Sequence, residues 1–205
     1  MKKIAYLLVV AGLLCFNQAF ADDLSPTDDA YTYSRSANRD TNYGDSLVLD
    51  IGKIYSSNTT QSYLKFDLSS YSAGIDSAYL YLYQNVGVLP ADINAYSTSN
   101  SWNENDITWN NQPSTSGTPV TISAGSGIGW YSWDVTSLAQ SAAGNSFSLA
   151  LTSSNYAHMF NSNEALTNKP YLAVTGITVP EPVSTVLFIM GGSVLLARRI
   201  RKGRK

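Results

Sequence analysis

The sequence predicts an all-β protein: an antiparallel β-sandwich of jelly-roll type, flanked by an N-terminal signal peptide and a C-terminal hydrophobic helix. Three observations predict it. Apolar residues in the middle of the chain recur at every second position, the period of a half-buried strand, and not every 3.6. Clusters of Gly, Asn, Ser and Pro part these runs at short intervals. The 205 residues hold one Cys and one His, so a disulfide framework, a thiolate-bound metal and a His-His zinc motif are all excluded, and stability must come from a packed core.

From the N-terminus, Lys2 and Lys3 precede the apolar stretch Ile4 to Phe16, and Ala19-Phe20-Ala21 follows. A basic start, a short apolar run and an A-x-A site read as a signal peptide over residues 1–21, cut by a signal peptidase after Ala21. The run is too short to cross ~30 Å of hydrocarbon at ~1.5 Å per residue. Residues 22–179 form one domain. Asp22, Asp23, Asp28 and Asp29 read as its solvated start.

Strands follow in order. Ser46 to Ile51 is a weak one, and Tyr63 to Leu68 a clean one with Leu64, Phe66 and Leu68 facing inward. Ala78 to Tyr83 places Ala78, Leu80 and Leu82 inside and Tyr79, Tyr81 and Tyr83 on the opposite face. Asn85-Val86-Gly87 reads as a break. Asp92 to Tyr96, Val120 to Ile122 and Trp130 to Val135 are weaker strands, and Phe147 to Leu151 and Leu172 to Val174 repeat the alternation. Asn110 to Pro113, Ser123 to Gly129 and Ala143 to Asn145 read as turns. Thr136 to Ala143 reads as one or two helical turns, capped by Asp134 or Thr136. About eight short strands with no helices between them argue two facing antiparallel sheets.

Charge narrows the function. Between residues 22 and 179 only five bases face 14 acids, which excludes nucleic-acid binding through a basic face. The remaining bases cluster at the ends, six of them in Arg198 to Lys205.

The row Tyr79, Tyr81, Tyr83 projects from one strand face at ~6.5–7 Å intervals. Flat amphipathic rings at that spacing suit stacking on sugar rings, with Ser, Thr and Asn nearby to bond hydroxyls. Trp130 and Trp133 lie on opposite faces of one strand. Trp133 belongs with the core, and Trp130, beside a Gly-Ser-Gly loop, joins the candidate ligand residues. Trp102 and Trp109 flank an Asn-rich turn and read as pins that hold a long loop to the sandwich. The many carboxylates leave room for a structural calcium ion, without any segment that resembles an EF-hand loop. For catalysis, the domain's glutamates are Glu104 and Glu164, and a lyase could use His158 with Tyr156 as proton-transfer groups.

Several segments then resemble a known family in order: Asp29-Ala30-Tyr31, Thr41-Asn42-Tyr43-Gly44, Ser62 to Ser69, Trp102 to Pro113, Trp133 to Thr136, Phe160 to Glu164 and Lys169 to Leu172. Together they resemble the DNRLRE domain, whose members look like jelly-roll carbohydrate-binding modules, some of them binders of alginate-like acidic polymers. The resemblance implies a glycan ligand. Where that family often carries a base ahead of the late glutamate, this chain has Asn163, and with so few bases a neutral or cation-bridged polysaccharide suits the charge better.

At the far end Val179-Pro180-Glu181-Pro182, the apolar segment Val183 to Ala197 and the basic Arg198 to Lys202 resemble a PEP-CTERM sorting signal over residues 180–205. The resemblance implies membrane tethering by a transient insertion, then cleavage near Pro180, Glu181 and Pro182 by an exosortase-type protease, and release to the cell surface or extracellular matrix. The expectation is an exported, non-catalytic glycan-binding sandwich. Its alternatives are a structural matrix or biofilm protein with no sugar site, and a small polysaccharide lyase or hydrolase.

Overall fold

The computed structural model describes residues 19–54 and 57–177. The predicted signal peptide up to residue 18, Pro180, Glu181 and Pro182, and the C-terminal apolar segment lie outside the described residues. Among the described residues no helix is long and apolar enough to cross a membrane.

Eleven strands are described: β1 (Ala19–Leu24), β2 (Asp28–Tyr33), β3 (Val48–Ile54), β4 (Asn58–Asp67), β5 (Ile75–Gly87), β6 (Ala91–Thr98), β7 (Thr115–Ala124), β8 (Gly129–Asp134), β9 (Ser146–Thr152), β10 (His158–Asn161) and β11 (Tyr171–Ile177). All their pairings are antiparallel. One sheet centres on β5, which carries β8 along one edge and first β11, then β10, along the other. β1 extends that sheet beyond β11. The second sheet runs β2-β4-β9-β6-β7. β3 belongs to both: Val48–Ile51 pair with β10 and Gly52–Ile54 with β4. The handover falls at Gly52, whose φ of +116° is open to glycine and strained for other residues. The predicted all-β, jelly-roll type of sandwich is the observed one.

The core lies between the sheets and is made of the alternating apolar positions: Leu64, Phe66 and Leu68, then Ala78, Leu80 and Leu82, then Phe147, Leu149 and Leu151, with Leu172 and Val174. Each such large side chain, fully buried, contributes ~1.5–3 kcal/mol. Trp133 is wholly buried against them and donates its indole N–H to the Ile93 carbonyl at 3.3 Å. The one α-helix described, α1 (Thr136–Gln140), is shorter than predicted. Asp134 starts it, accepting from the Thr136 N–H at 3.2 Å and the Thr136 hydroxyl at 2.6 Å.

Three predictions need correction. β5 runs unbroken through Asn85-Val86-Gly87 because β10 supplies hydrogen-bond partners there. β1, β2 and β10 are strands that the apolar pattern does not show; in β2 and β10 the polar Asp29, Thr32 and His158 occupy buried positions. The acids of residues 22–29 form a solvated start only in part, since Asp22 and Asp23 are exposed and Asp28 is half-buried. Asp22 accepts from the Tyr71 hydroxyl at 2.6 Å and Asp29 is buried. β1 also spans the predicted cleavage site, since Ala19 and Ala21 pair with Ile177 and Thr175. A cut after Ala21 leaves Asp22, Asp23 and Leu24 with their partners Val174, Ala173 and Leu172.

A second, smaller apolar cluster sits outside the second sheet: Ala30, Tyr63, Ile107 and Ala150, closed by Trp102. Trp102 meets Tyr63 edge-on at 5.9 Å and donates to the Ser148 hydroxyl at 3.1 Å. Lys65 stands 4.6 Å from its ring, donates to its carbonyl and pairs with Asp28 at 3.3 Å. The long loop between β6 and β7 is thereby fastened to the sheet, as the spacing of Trp102 suggested.

Candidate functional site

The outward face of the β5-centred sheet collects aromatic rings from three strands. Alternation along β5 sends Tyr79, Tyr81 and Tyr83 outward, because their neighbours Ala78, Leu80 and Leu82 are core. The register then places Trp130 of β8 opposite Tyr83, and Tyr171 of β11 opposite Tyr81. Tyr81 and Tyr171 stack at 4.8 Å with an angle of 8° between their planes. Trp130 meets Tyr83 and Tyr171 edge-on, each at 5.4 Å, so its indole reaches across β5.

The four sequence-derived candidates, Tyr79, Tyr81, Tyr83 and Trp130, therefore share one face. They do not present three equal platforms. Tyr81 spends one ring face on Tyr171, and Tyr83 is half-buried beside the indole. The rings open to solvent are Trp130, 45 % exposed, and Tyr79, 38 % exposed. Tyr171 is the member that sequence reasoning missed. Its strand was legible and its outward direction follows from Leu172, but only the β5–β11 register brings it to the row. Acids rim the face: Asp134 lies opposite Tyr79 on β8, and Asp23 of β1 opposite Ala173. Hydrogen bonds from Thr136 and Tyr79 hold Asp134 below the ordinary carboxylate range, so it is charged at neutral pH.

Trp109, read from the sequence as a pin of the loop, also borders a cleft. It is a half-buried wall of an open cleft of about 470 Å³ on the outer side of the second sheet, with Tyr96, Gln61, Gln112 and Thr152. Gln112 also accepts from the buried Thr32 hydroxyl, which ties the loop to β2.

His158 is wholly buried. Its Nε2 lies 3.0 Å from the Leu89 carbonyl and its Nδ1 2.6 Å from Gln84 Oε1. Gln84 in turn donates to the carbonyls of Gly125 and Gly127 at 2.8 and 2.7 Å, in the turn that leads to Trp130. Burial outweighs the pull of the Leu89 carbonyl and lowers the His158 pKa. The imidazole is a fastener for two turns, out of reach of a polymer at the surface, and it forms no proton-transfer pair with the exposed Tyr156.

Glu104 and Glu164 come together with Asp29 at one end of the sandwich. The Asp29 N–H donates to Glu104 at 3.2 Å, and the Asn163 N–H donates to Asp29 at 2.9 Å. Among the described residues no group of three His, Cys, Asp or Glu side chains is assembled as a metal cluster.

The family model described as carbohydrate-binding module family 96 matches residues 21–176. The chain belongs to this family. No curated protein matches the chain. The family 96 match begins inside β1 and ends inside β11, so it takes in both sheets, the aromatic face, the Trp109 cleft and the acidic end. Carbohydrate as the ligand class agrees with a module whose largest outward aromatic group mixes ring faces with hydroxyls.

Proposed function

We propose that the protein is an exported, non-catalytic module that binds a neutral or cation-bridged polysaccharide on the outward face of the β5-centred sheet. The observation that carries this reading is the convergence of Trp130, Tyr79, Tyr81, Tyr83 and Tyr171 from three strands, with the Trp130 and Tyr79 rings open to solvent. Stacking on sugar rings needs exposed aromatic faces in a rigid frame, and strands hold them more firmly than loops do. Asp134 and Asp23 at the rim disfavour a bare polyanion. Burial of His158 supports the non-catalytic reading.

The finer assignments belong to the same proposal. The domain is of the DNRLRE kind. Residues 1–21 are a signal peptide, and residues 180–205 are a PEP-CTERM signal processed near Pro180, Glu181 and Pro182 by an exosortase-type protease. The protein is membrane-tethered before that cut and held at the cell surface or in the extracellular matrix after it.

Affinity electrophoresis through gels containing neutral or acidic polysaccharides tests the binding face. Retardation is expected in at least one neutral gel, weakened about tenfold by Trp130→Ala or Tyr81→Ala, which corresponds to ~1.4 kcal/mol. No retardation in any gel would favour a structural matrix role, and new reducing ends would favour an enzyme.

A further inference from the structure

The loop between β6 and β7 closes over Tyr63 and Ala150, and beside them it leaves the Trp109 cleft. Alternation sends Gln61 of β4, Tyr96 of β6 and Thr152 of β9 outward, since Ser62, Ala95 and Leu151 next to them are buried. With Trp109, Gln112 and Pro113 of the loop they wall a space of about 470 Å³. That volume lies within the ~300–1,000 Å³ of small-ligand sites. The cleft belongs to the second sheet and the aromatic row to the β5-centred one, so the two share no residue.

Buried hydroxyls hold the polar groups of this cleft. The Tyr63 hydroxyl lies 3.0 Å from Gln61 Oε1 and 3.3 Å from the Pro113 carbonyl oxygen. The Thr32 hydroxyl donates to Gln112 Oε1. Both Tyr63 and Thr32 are fully buried. One end of each amide is thereby fixed, and its N–H2 end is left to a ligand. Donors oriented in advance by a second layer of side chains cost less to order when a ligand arrives.

The lining sets the class of ligand. Trp109 and Tyr96 are half-buried rings, Thr152 adds a hydroxyl, and among the described residues no Asp, Glu, Lys or Arg lines the cleft. An anion would find no base here, and a cation no carboxylate. A wholly apolar ligand would strip water from the two amides and offer nothing in return. A neutral sugar satisfies both kinds of wall, with C–H faces for the rings and hydroxyls for the amides.

We propose that this cleft is a second carbohydrate site, which takes a short run of a neutral glycan with Tyr96 and Trp109 against its rings and Gln61 and Gln112 donating to its hydroxyls. Together with the aromatic face on the other sheet, it lets one module hold two glycan strands and bridge them. The bridging rests on the reading of the aromatic face given above. The cleft itself does not, since its argument uses its own lining and the ligand class of the family.

The full chain, solubilised in a sugar-free detergent, is titrated calorimetrically with cellohexaose, mannohexaose, xylohexaose and laminarihexaose. Trp130→Ala weakens the aromatic face and is expected to keep one site per chain for at least one of these probes. Tyr96→Ala or Gln61→Leu, added to Trp130→Ala, is expected to weaken that remaining binding about tenfold or more. If Tyr96→Ala fails to fold by circular dichroism, Thr115→Trp, at an exposed position on the cleft wall, blocks the space instead and is expected to have the same effect. Absence of binding by Trp130→Ala to every probe at millimolar concentration would overturn the proposal, as would binding that none of the cleft substitutions changes. The two sites fail separately: binding abolished by Trp130→Ala ends the cleft and leaves the aromatic face, whereas binding indifferent to Trp130→Ala and lost with Tyr96→Ala does the reverse.

Discussion

Gly52 is where a single residue sets the course of the chain. Its positive φ turns β3 from one sheet to the other, and a Cβ there would lie 2.4 Å from the Tyr156 carbonyl oxygen. Gly52→Ala combines a left-handed backbone with a clash against main chain, which has no flexible end to swing aside. It is expected to lower unfolding stability by about 1–3 kcal/mol, measured by urea denaturation. Nothing in the sequence distinguishes this glycine, because the requirement comes from strands far along the chain. The same holds for Asp29 and Glu164. Asp29 reads as part of a solvated start and Glu164 as a motif glutamate, and only the fold shows Asp29 buried beside Glu164. Tyr79, Tyr81, Tyr83 and Trp130 were legible because outwardness on a strand depends on parity alone. Tyr171 was not, because its place beside Tyr81 depends on register.

At the scale of elements, Trp102 and Lys65 are two of the anchors that hold the loop between β6 and β7. Trp102→Ala removes the lid of the Ala30, Tyr63, Ile107 and Ala150 cluster and the anchor to Ser148. The expected cost is about 2–4 kcal/mol. Hydrogen exchange should show the amides of Ile107 and Gln112, now bonded to the carbonyls of Asn103 and Thr108, opening before those of β4 and β9. Uniform protection across loop and sheet would contradict that order. Strands with apolar inner faces (β4, β5, β9 and β11) were readable by period two. β2 and β10 were not, because their inner positions are taken by polar side chains whose partners lie elsewhere: Thr32 with Gln112, His158 with Gln84 and Leu89. A buried polar residue that is satisfied in space looks like an exposed one in sequence.

For the whole molecule, the buried acids govern the response to pH. Burial, reinforced by Glu164 and Glu104, raises Asp29 to about 8, and burial raises Asp50 to about 6. Both folded values lie above the unfolded one, so the folded protein holds these protons more tightly, and stability falls as pH rises from about 4 through the folded pKa. His158 is lowered instead and costs stability as pH drops through its ordinary value of about 6.5. Between pH 6.5 and 8 Asp29 outweighs the other two: the folded state keeps a proton that the unfolded state has lost, and the opposing effect of His158 fades as pH rises above 6.5. The melting temperature is therefore expected to fall across that window, and Asp29→Asn should flatten the decline. A melting temperature that climbs from pH 6.5 to 8 in the wild type would contradict the buried, uncharged Asp29.

β11 has a mechanical side. It starts at Tyr171, within the aromatic face, and ends at Ile177, and it is flanked by β5 along Tyr171–Gly176 and, after a cut behind Ala21, by β1 along Leu172–Val174. Tension between a ligand gripped at one end and a tether at the other would run lengthwise through this one strand. Both ladders would then be loaded in shear, all rungs at once, and not unzipped singly. On the proposed reading, with a polymer on the aromatic face and a tether beyond Ile177, a module built this way would resist being torn from its anchor.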